Sequence, residues 1–271
     1  MIDIVTHNGI FHADEVVAVA LLRIVLTEKE IFVTRTRDES IIKRGLLNPE
    51  TFVIDVGGKW VPGMRNFDHH QSLRLRASNM LVFNYIKETF PDSLLSTLMP
   101  AITNIMLGIS NWDTNGDGIH QKWFEFTPDN KYKNFSQIIN GFNRNPKEEE
   151  MQDILFSKAV DIAKDFIYNE MYAAEQKQKQ KVIYQAGVEL TSTLILFDAY
   201  CNVWKKPDND YNYAIMPNAQ GWALVSRDAD KYPIEGIDDI PGLMFAHKAK
   251  FIAIFQGKQA AISAGAKICG F

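Results

Sequence analysis

The run Thr51-Phe52-Val53-Ile54 is apolar or β-branched at every position, and it stops on Asp55-Val56-Gly57-Gly58. A strand with no polar face must be covered on both sides, as it is in a parallel sheet flanked by helices. The rest of the opening half fits that constraint. Residues 2–5 are another short run, apolar but for Asp3, and beyond them Val16, Val17, Ala20, Leu21, Ile24 and Val25 recur at three and four residues, so the chain opens strand, loop, helix. Residues 31–34 read as a strand that runs into Arg35-Thr36-Arg37-Asp38, and helical spacing returns over about 78–90 and 100–110.

From about 146 to 186, Met151, Ile154, Leu155, Ala159, Ile162, Phe166 and Tyr168 keep a helical rhythm, and the sequence then turns polar at Gln176-Lys177-Gln178-Lys179-Gln180-Lys181. A long helix whose far half is wet suits a connector between domains, and its lysines read as a solvated face, not a nucleic-acid patch. Strand-like stretches at 188–197, 213–216, 222–226 and 251–255 follow, separated by turns. The expected fold class is α/β, a larger parallel-sheet domain over residues 1–180 and a smaller α/β domain over 187–271. A chain of 271 residues has enough length for two such cores.

The net charge of −4 argues against a broad basic grip on nucleic acid, although bound metal ions or a small positive pocket still receive a phosphate. Cys201 and Cys269 make neither a disulfide framework nor a cysteine zinc site, which points to a reducing compartment. No signal-peptide pattern precedes the first strand, and the apolar run 16–22 ends at Arg23, far short of a bilayer span. The expectation is a soluble cytoplasmic protein with no membrane partner.

Ligands of open α/β sheets collect at the carboxyl ends of strands, and here those ends are crowded. His7, His12, Asp14 and Glu15 put two imidazoles and two carboxylates into nine residues; Asp55 ends the apolar strand; Asp68-His69-His70 and Asp113 follow. Each alone has a plain structural reading: a hydrogen-bonded histidine at a strand end, or Asp55 as a turn or cap residue. The run from Asp113 to Gly118 also opens like a calcium loop, but its twelfth position is Phe124, where a bidentate glutamate is needed. Together, His7, His12, Asp14, Asp55, Asp68, His69, His70 and Asp113 form the mixed imidazole and carboxylate set that a pair of divalent ions about 3.5–4 Å apart requires. With thiolates absent, manganese, magnesium or zinc is favoured over softer metals.

The order of these clusters, His-x4-His-x-Asp from His7, Asp-Val-Gly-Gly from Asp55, Asp-His-His-Gln from Asp68 and Trp-Asp-x-Asn-Gly from Trp112, resembles the DHH phosphoesterase superfamily. More narrowly, with Arg35-x-Arg37-Asp38 after the second strand, it resembles the family of the melanocyte-proliferating-gene exonuclease. The resemblance implies a DHH-type catalytic domain, a C-terminal substrate-binding domain that closes over it, a long joining helix and a hinge at about 176–187. It implies two divalent ions, manganese first and magnesium or zinc as alternatives. His7, His12 and Asp55 would hold one, and Asp14, Asp55, His69 and Asp113 the other. Asp55, Asp68 and His70 would be catalytic, with His70 facing the phosphate and Asp68 orienting a histidine. Arg37, Arg74, Arg227 and His247 would join His70 in binding substrate. The implied activity is a metal-dependent phosphodiesterase, an exonuclease working 3′ to 5′ on short RNA or DNA. Hydrolysis of a small phosphate compound such as pyrophosphate, a phosphorylated nucleoside or a cyclic dinucleotide stays open, as does a non-catalytic role in binding nucleotide or metal. Oligomeric state is open too, a homodimer included. After His247 the chain has Lys248-Ala249-Lys250, where the family favours small residues and a glycine pair.

Overall fold

The computed structural model describes residues 1–93, 99–115, 130–144, 148–205 and 210–271, and they form two compact units, Met1–Ala174 and Glu175–Phe271. In the first, β1 (Ile2–Thr6), β2 (Ile31–Arg35), β3 (Thr51–Ile54), β4 (Trp60–Val61) and β5 (Asn66–Phe67) make one sheet in the order β2-β1-β3-β5-β4. β1 pairs in parallel with both β2 and β3, and β3 with β5; only the short edge strand β4 is antiparallel.

The expectation that β3 is covered on both faces holds, and its alternation shows how. Phe52 and Ile54 join Ile4 in a large core, while Val53 joins Val5 on the opposite face against Ile42 and Leu46 of α2 (Glu39–Leu47). The large core is built by α1 (Ala13–Val25), 11 of whose 13 residues are buried, with α3 (Ser78–Thr89), α4 (Met99–Asn115) and α5 (Asn130–Asn140). Each fully buried Val or Leu of α1 contributes about 1.5–3 kcal/mol, so this helix is fixed firmly and its first turn cannot drift.

α6 (Glu149–Gln185) is a 37-residue helix that begins in the first unit and ends in the second. Phe156, Ala159, Val160, Ala163, Ile167 and Met171 are buried at three- and four-residue spacing, and no residue beyond Met171 is. It runs without a break through the segment where a hinge was expected, as far as Gln185.

In the second unit a six-stranded sheet has the order β10-β11-β9-β8-β7-β6, from β6 (Val188–Thr191), β7 (Leu194–Leu196), β8 (Tyr213–Asn218), β9 (Gly221–Ser226), β10 (Leu243–Ala246) and β11 (Ile252–Phe255). α7 (Lys258–Cys269) packs on it through Ala261 and Ala264, against Leu194, Ile215 and Phe255. The single stretch expected over 188–197 is two antiparallel strands, because the Thr191 hydroxyl accepts from the Thr193 backbone N–H at 3.2 Å and turns the chain. At Gly221, φ +155°, a Cβ would meet the Phe255 carbonyl oxygen at 2.2 Å, so only glycine fits there. No helix among the described residues is long and apolar enough to cross a membrane.

Candidate metal centre

Strand register assembles the site. β1 and β3 lie side by side with Val5 opposite Val53, so His7 and Asp55, each just past its strand, leave the same edge next to one another. β5 pairs with β3 with Phe67 opposite Ile54, which delivers Asp68, His69 and His70 on the other side of Asp55. The strand order reverses direction at β1 and β3, the place where open α/β sheets leave a crevice. α1 starts with its first turn at this edge and contributes Asp14 and Glu15, while the last turn of α4 contributes Asp113.

Asp55 is the centre. Its Oδ2 lies 3.3 Å from His7 Nε2 and its Oδ1 lies 3.2 Å from His69 Nε2, so its two oxygens face two different imidazoles. His7 Nε2 is also 3.1 Å from Glu15 Oε1. His69 Nε2 is also 3.4 Å from Asp113 Oδ2 and 3.7 Å from Asp14 Oδ2. Ligand atoms within 4.8 Å of one another occur in His7, His12 and Glu15; in His12, Asp14 and Asp113; in Asp14, Glu15 and Asp55; and in Asp55, His69 and His70. Asp55 itself has φ +57°, a left-handed conformation that aspartate tolerates better than most side chains. Ser78 braces it, its hydroxyl 2.9 Å from Asp55 Oδ1 and its backbone N–H donating to Asp14 Oδ2 at 3.2 Å.

Asp68 is used differently. Its carboxylate accepts from the Gly58 N–H at 2.6 Å, the His70 N–H at 3.0 Å and His70 Nδ1 at 2.7 Å. It therefore fixes one nitrogen of His70 and leaves Nε2 facing away, on a ring whose side chain is 63% exposed.

The charge balance tests whether a cation fits. Asp14 and Glu15 are fully buried and Asp55 nearly so, and Asp14 Oδ1 and Glu15 Oε2 have no hydrogen-bond partner among the described residues. Burial, then the charge of Asp14, push the Glu15 pKa well above its ordinary value; burial, Asp14 and Asp55 do the same to Asp113. Burial opposes ionisation of Asp55, but His69 and His7 outweigh it and hold its pKa well down. Burial likewise opposes the charged His7 ring, yet Asp55 and Glu15 overcome it and lift the pKa to about 10. The orphaned carboxylate oxygens, beside the imidazole nitrogens, are donors of the kind a divalent ion takes. The residues fit a divalent-metal site in donor type, although His12 groups with Glu15 and His7 on one side and with Asp14 and Asp113 on the other, rather than with His7 and Asp55 as expected.

Of the other sequence candidates, Arg37 reaches His7 Nδ1 at 3.4 Å and lines a hollow of about 730 Å³ with Gly9, Gly57 and Asp55. Arg74 is exposed in the loop after His70, where Leu73 and Leu75 rather than Arg74 line a second hollow. Arg227 and His247 lie in the second unit: Arg227 donates to the Trp204 carbonyl at 3.3 Å, and His247 packs against Phe251 with ring centroids 4.3 Å apart and planes tilted by 50°. Asp113 comes from the last turn of a helix, and positions 116–124 of the calcium-like run lie outside the described residues.

Sequence reasoning noted Glu15 but left it out of the ligand set, and it passed over Ser78 and a brace beneath the loop that carries His7 and His12. The Arg35 side chain, 2% exposed, donates to the Gly9 carbonyl at 2.7 Å and to Asp153 Oδ1 at 3.1 Å, its guanidinium 5.2 Å from the Phe11 ring centre and 4.8 Å from that of Phe156. Asn143 completes the brace, accepting from the Phe11 N–H at 3.0 Å and donating to the Phe11 carbonyl at 2.7 Å.

Residues 3–207, which include every candidate ligand, match the MYG1 exonuclease family, described as uncharacterised protein family UPF0160. The chain is 25% identical to the MYG1 protein of Chlamydia pneumoniae across 94% of its own length and 92% of the relative's. It is 24% identical to the MYG1 protein of Schizosaccharomyces pombe across 100% and 98%. A shorter match of 66 residues, 24% of this chain and 16% of the relative, is 43% identical to the human MYG1 exonuclease.

Proposed function

We propose that this chain, which belongs to the MYG1 exonuclease family, is a divalent-metal phosphodiesterase that trims short RNA or DNA from one end, in the 3′ to 5′ direction. The observation that carries this is the pair of Asp55 oxygens, each 3.2–3.3 Å from a separate imidazole, as a carboxylate shared by two ions requires. His7, His12 and Asp55, with Glu15 beside them, would hold one ion; Asp14, Asp55, His69 and Asp113 would hold the other. Manganese suits this oxygen and nitrogen set, with magnesium or zinc as alternatives. When bound, such ions acidify a water and offset the negative charge that develops on a phosphoryl group.

The chain's own residues do the rest. Asp68 pins Nδ1 of His70, and that hydrogen bond, against the cost of burial, raises the ring's pKa. His70 can then carry a proton at Nε2 towards a phosphate oxygen near neutral pH. Arg37 offers a second cation in the hollow beside it. The parallel sheet with ligands at the carboxyl ends of β1, β3 and β5 supports a DHH-type reading of the first domain, with Arg227 and His247 as the substrate-binding groups of the second. A second reading, hydrolysis of a small phosphate compound, draws on the net charge of −4 and on Arg37 as the one Lys or Arg among the described residues of that hollow.

Manganese-loaded protein incubated with end-labelled oligonucleotides, and in parallel with pyrophosphate and a cyclic dinucleotide, separates the two. A ladder of released mononucleotides supports the exonuclease; cleavage of the small compounds alone supports the second reading; no hydrolysis of either sinks both. Metal analysis of the same preparation should give two equivalents, lost in Asp55→Ala and His69→Ala.

A further inference from the structure

Two hollows meet at the centre and share His12, Asp55 and His70, but their other walls differ in chemistry. The one described above has Arg37 and the glycines Gly9 and Gly57. The second, about 510 Å³, falls within the range of about 300–1,000 Å³ usual for small-ligand clefts. Leu73 and Trp112 give it apolar surface, Ser136, Gln137 and Asn140 of α5 give it donors and acceptors, and no Lys or Arg is among its described lining residues. Two details point to a ligand. Leu73 is left 67% exposed at this wall, and Ser136 Oγ is buried without a hydrogen-bond partner among the described residues.

A wall of this kind suits a flat, uncharged ring with polar atoms at its edge and offers a phosphate no Lys or Arg to pair with. The first hollow offers the reverse. Resting on the phosphodiesterase reading, we propose that the 510 Å³ hollow is the subsite for the substrate's terminal nucleobase, packed against Leu73 and Trp112, its edge read by Ser136, Gln137 and Asn140. The scissile phosphate then lies where the two hollows join, at Asp55 and His70, and its charge is met on the Arg37 side. Stacking on an apolar face tolerates every base, so the preference among bases falls to the hydroxyl and the two amides.

Equilibrium binding to manganese-loaded protein tests this without turnover. AMP, GMP, CMP and UMP are compared with ribose 5-phosphate, which has the phosphate and no base. At least one nucleotide should bind about tenfold or more tightly than ribose 5-phosphate, the scale of one base–side-chain stack. In the Leu73→Ala/Gln137→Ala double variant, both positions being exposed and tolerant of truncation, that nucleotide should fall to the level of ribose 5-phosphate. Arg37→Ala should weaken nucleotide and ribose 5-phosphate by the same factor. Equal affinity for all five compounds in the wild type, or an undiminished preference in the double variant, overturns the subsite. Failure to cut oligonucleotides with the preference intact would instead overturn the exonuclease and leave the base pocket standing.

Discussion

Asp55 sits at φ +57°, where an L side chain without a short polar group is strained. Asp55→Asn and Asp55→Ala should both abolish metal binding, yet in chelator-treated protein the alanine variant should be less stable by about 1 kcal/mol in urea unfolding, because asparagine tolerates that backbone. Asp113 behaves in the opposite sense. Burial, Asp14 and Asp55 raise its pKa in the folded chain, so ionising it at neutral pH opposes folding unless a cation is bound. Asp113→Asn should therefore raise the melting temperature of the chelated protein by about 2–4 °C, the shift that 1 kcal/mol gives a chain of this size, while lowering manganese affinity. His7 sets a pH window. With its folded pKa lifted from 6.5 to about 10, its contribution to the stability of the chelated chain is full below 6.5 and lost as pH rises through 10. A ligand ring must be neutral, so manganese affinity should climb with pH up to about 10, about tenfold per unit for each proton displaced, and level off above it. Calorimetry in buffers of different ionisation heat counts those protons; an affinity flat in pH would contradict the assignment. The imidazoles and aspartates of this site were legible in the sequence because four clusters recur in order, three of them at strand ends and the fourth, Asp113, in a helix. Glu15 was not legible as a ligand, since a glutamate three residues after a helix start is equally a capping residue; here Oε1 accepts from the His12 N–H at 2.8 Å and also faces His7.

Among the elements, periodicity located β1 to β3, α1, α3 and α6, because each has a face that must be dry. It could not locate the brace on the metal loop. Phe11 and Asn143 are 132 residues apart, and Arg35 and Asp153 are 118 apart, so no local pattern records either contact. Arg35 also sits in a strand whose burial alternates, where an arginine reads as a surface residue. Arg35→Met keeps the bulk between Phe11 and Phe156 but strands the Gly9 carbonyl. It should cost about 1.5–3 kcal/mol of stability, as loss of a charged hydrogen bond does, and lower manganese affinity by loosening His7 and His12. Unchanged affinity in a folded Arg35→Met variant would mean that the loop holds its shape without the brace.

For the molecule as a whole, every cluster of metal-type side chains found among the described residues lies within Met1–Ala174. A fragment ending at Ala174 should therefore still take up two equivalents of manganese by metal analysis, while losing turnover of oligonucleotides if Arg227 and His247 bind substrate. Retained turnover would confine the entire chemistry to the first unit. The buried acids Asp14, Glu15 and Asp55, with the half-buried Asp113, also tie the fold to its surroundings. Anything that binds only the native chain adds to its stability, so scarcity of the cation would thin the population before it slowed the survivors. A starved cell would lose copies of this protein to its proteases, and abundance, more than rate, would report the supply.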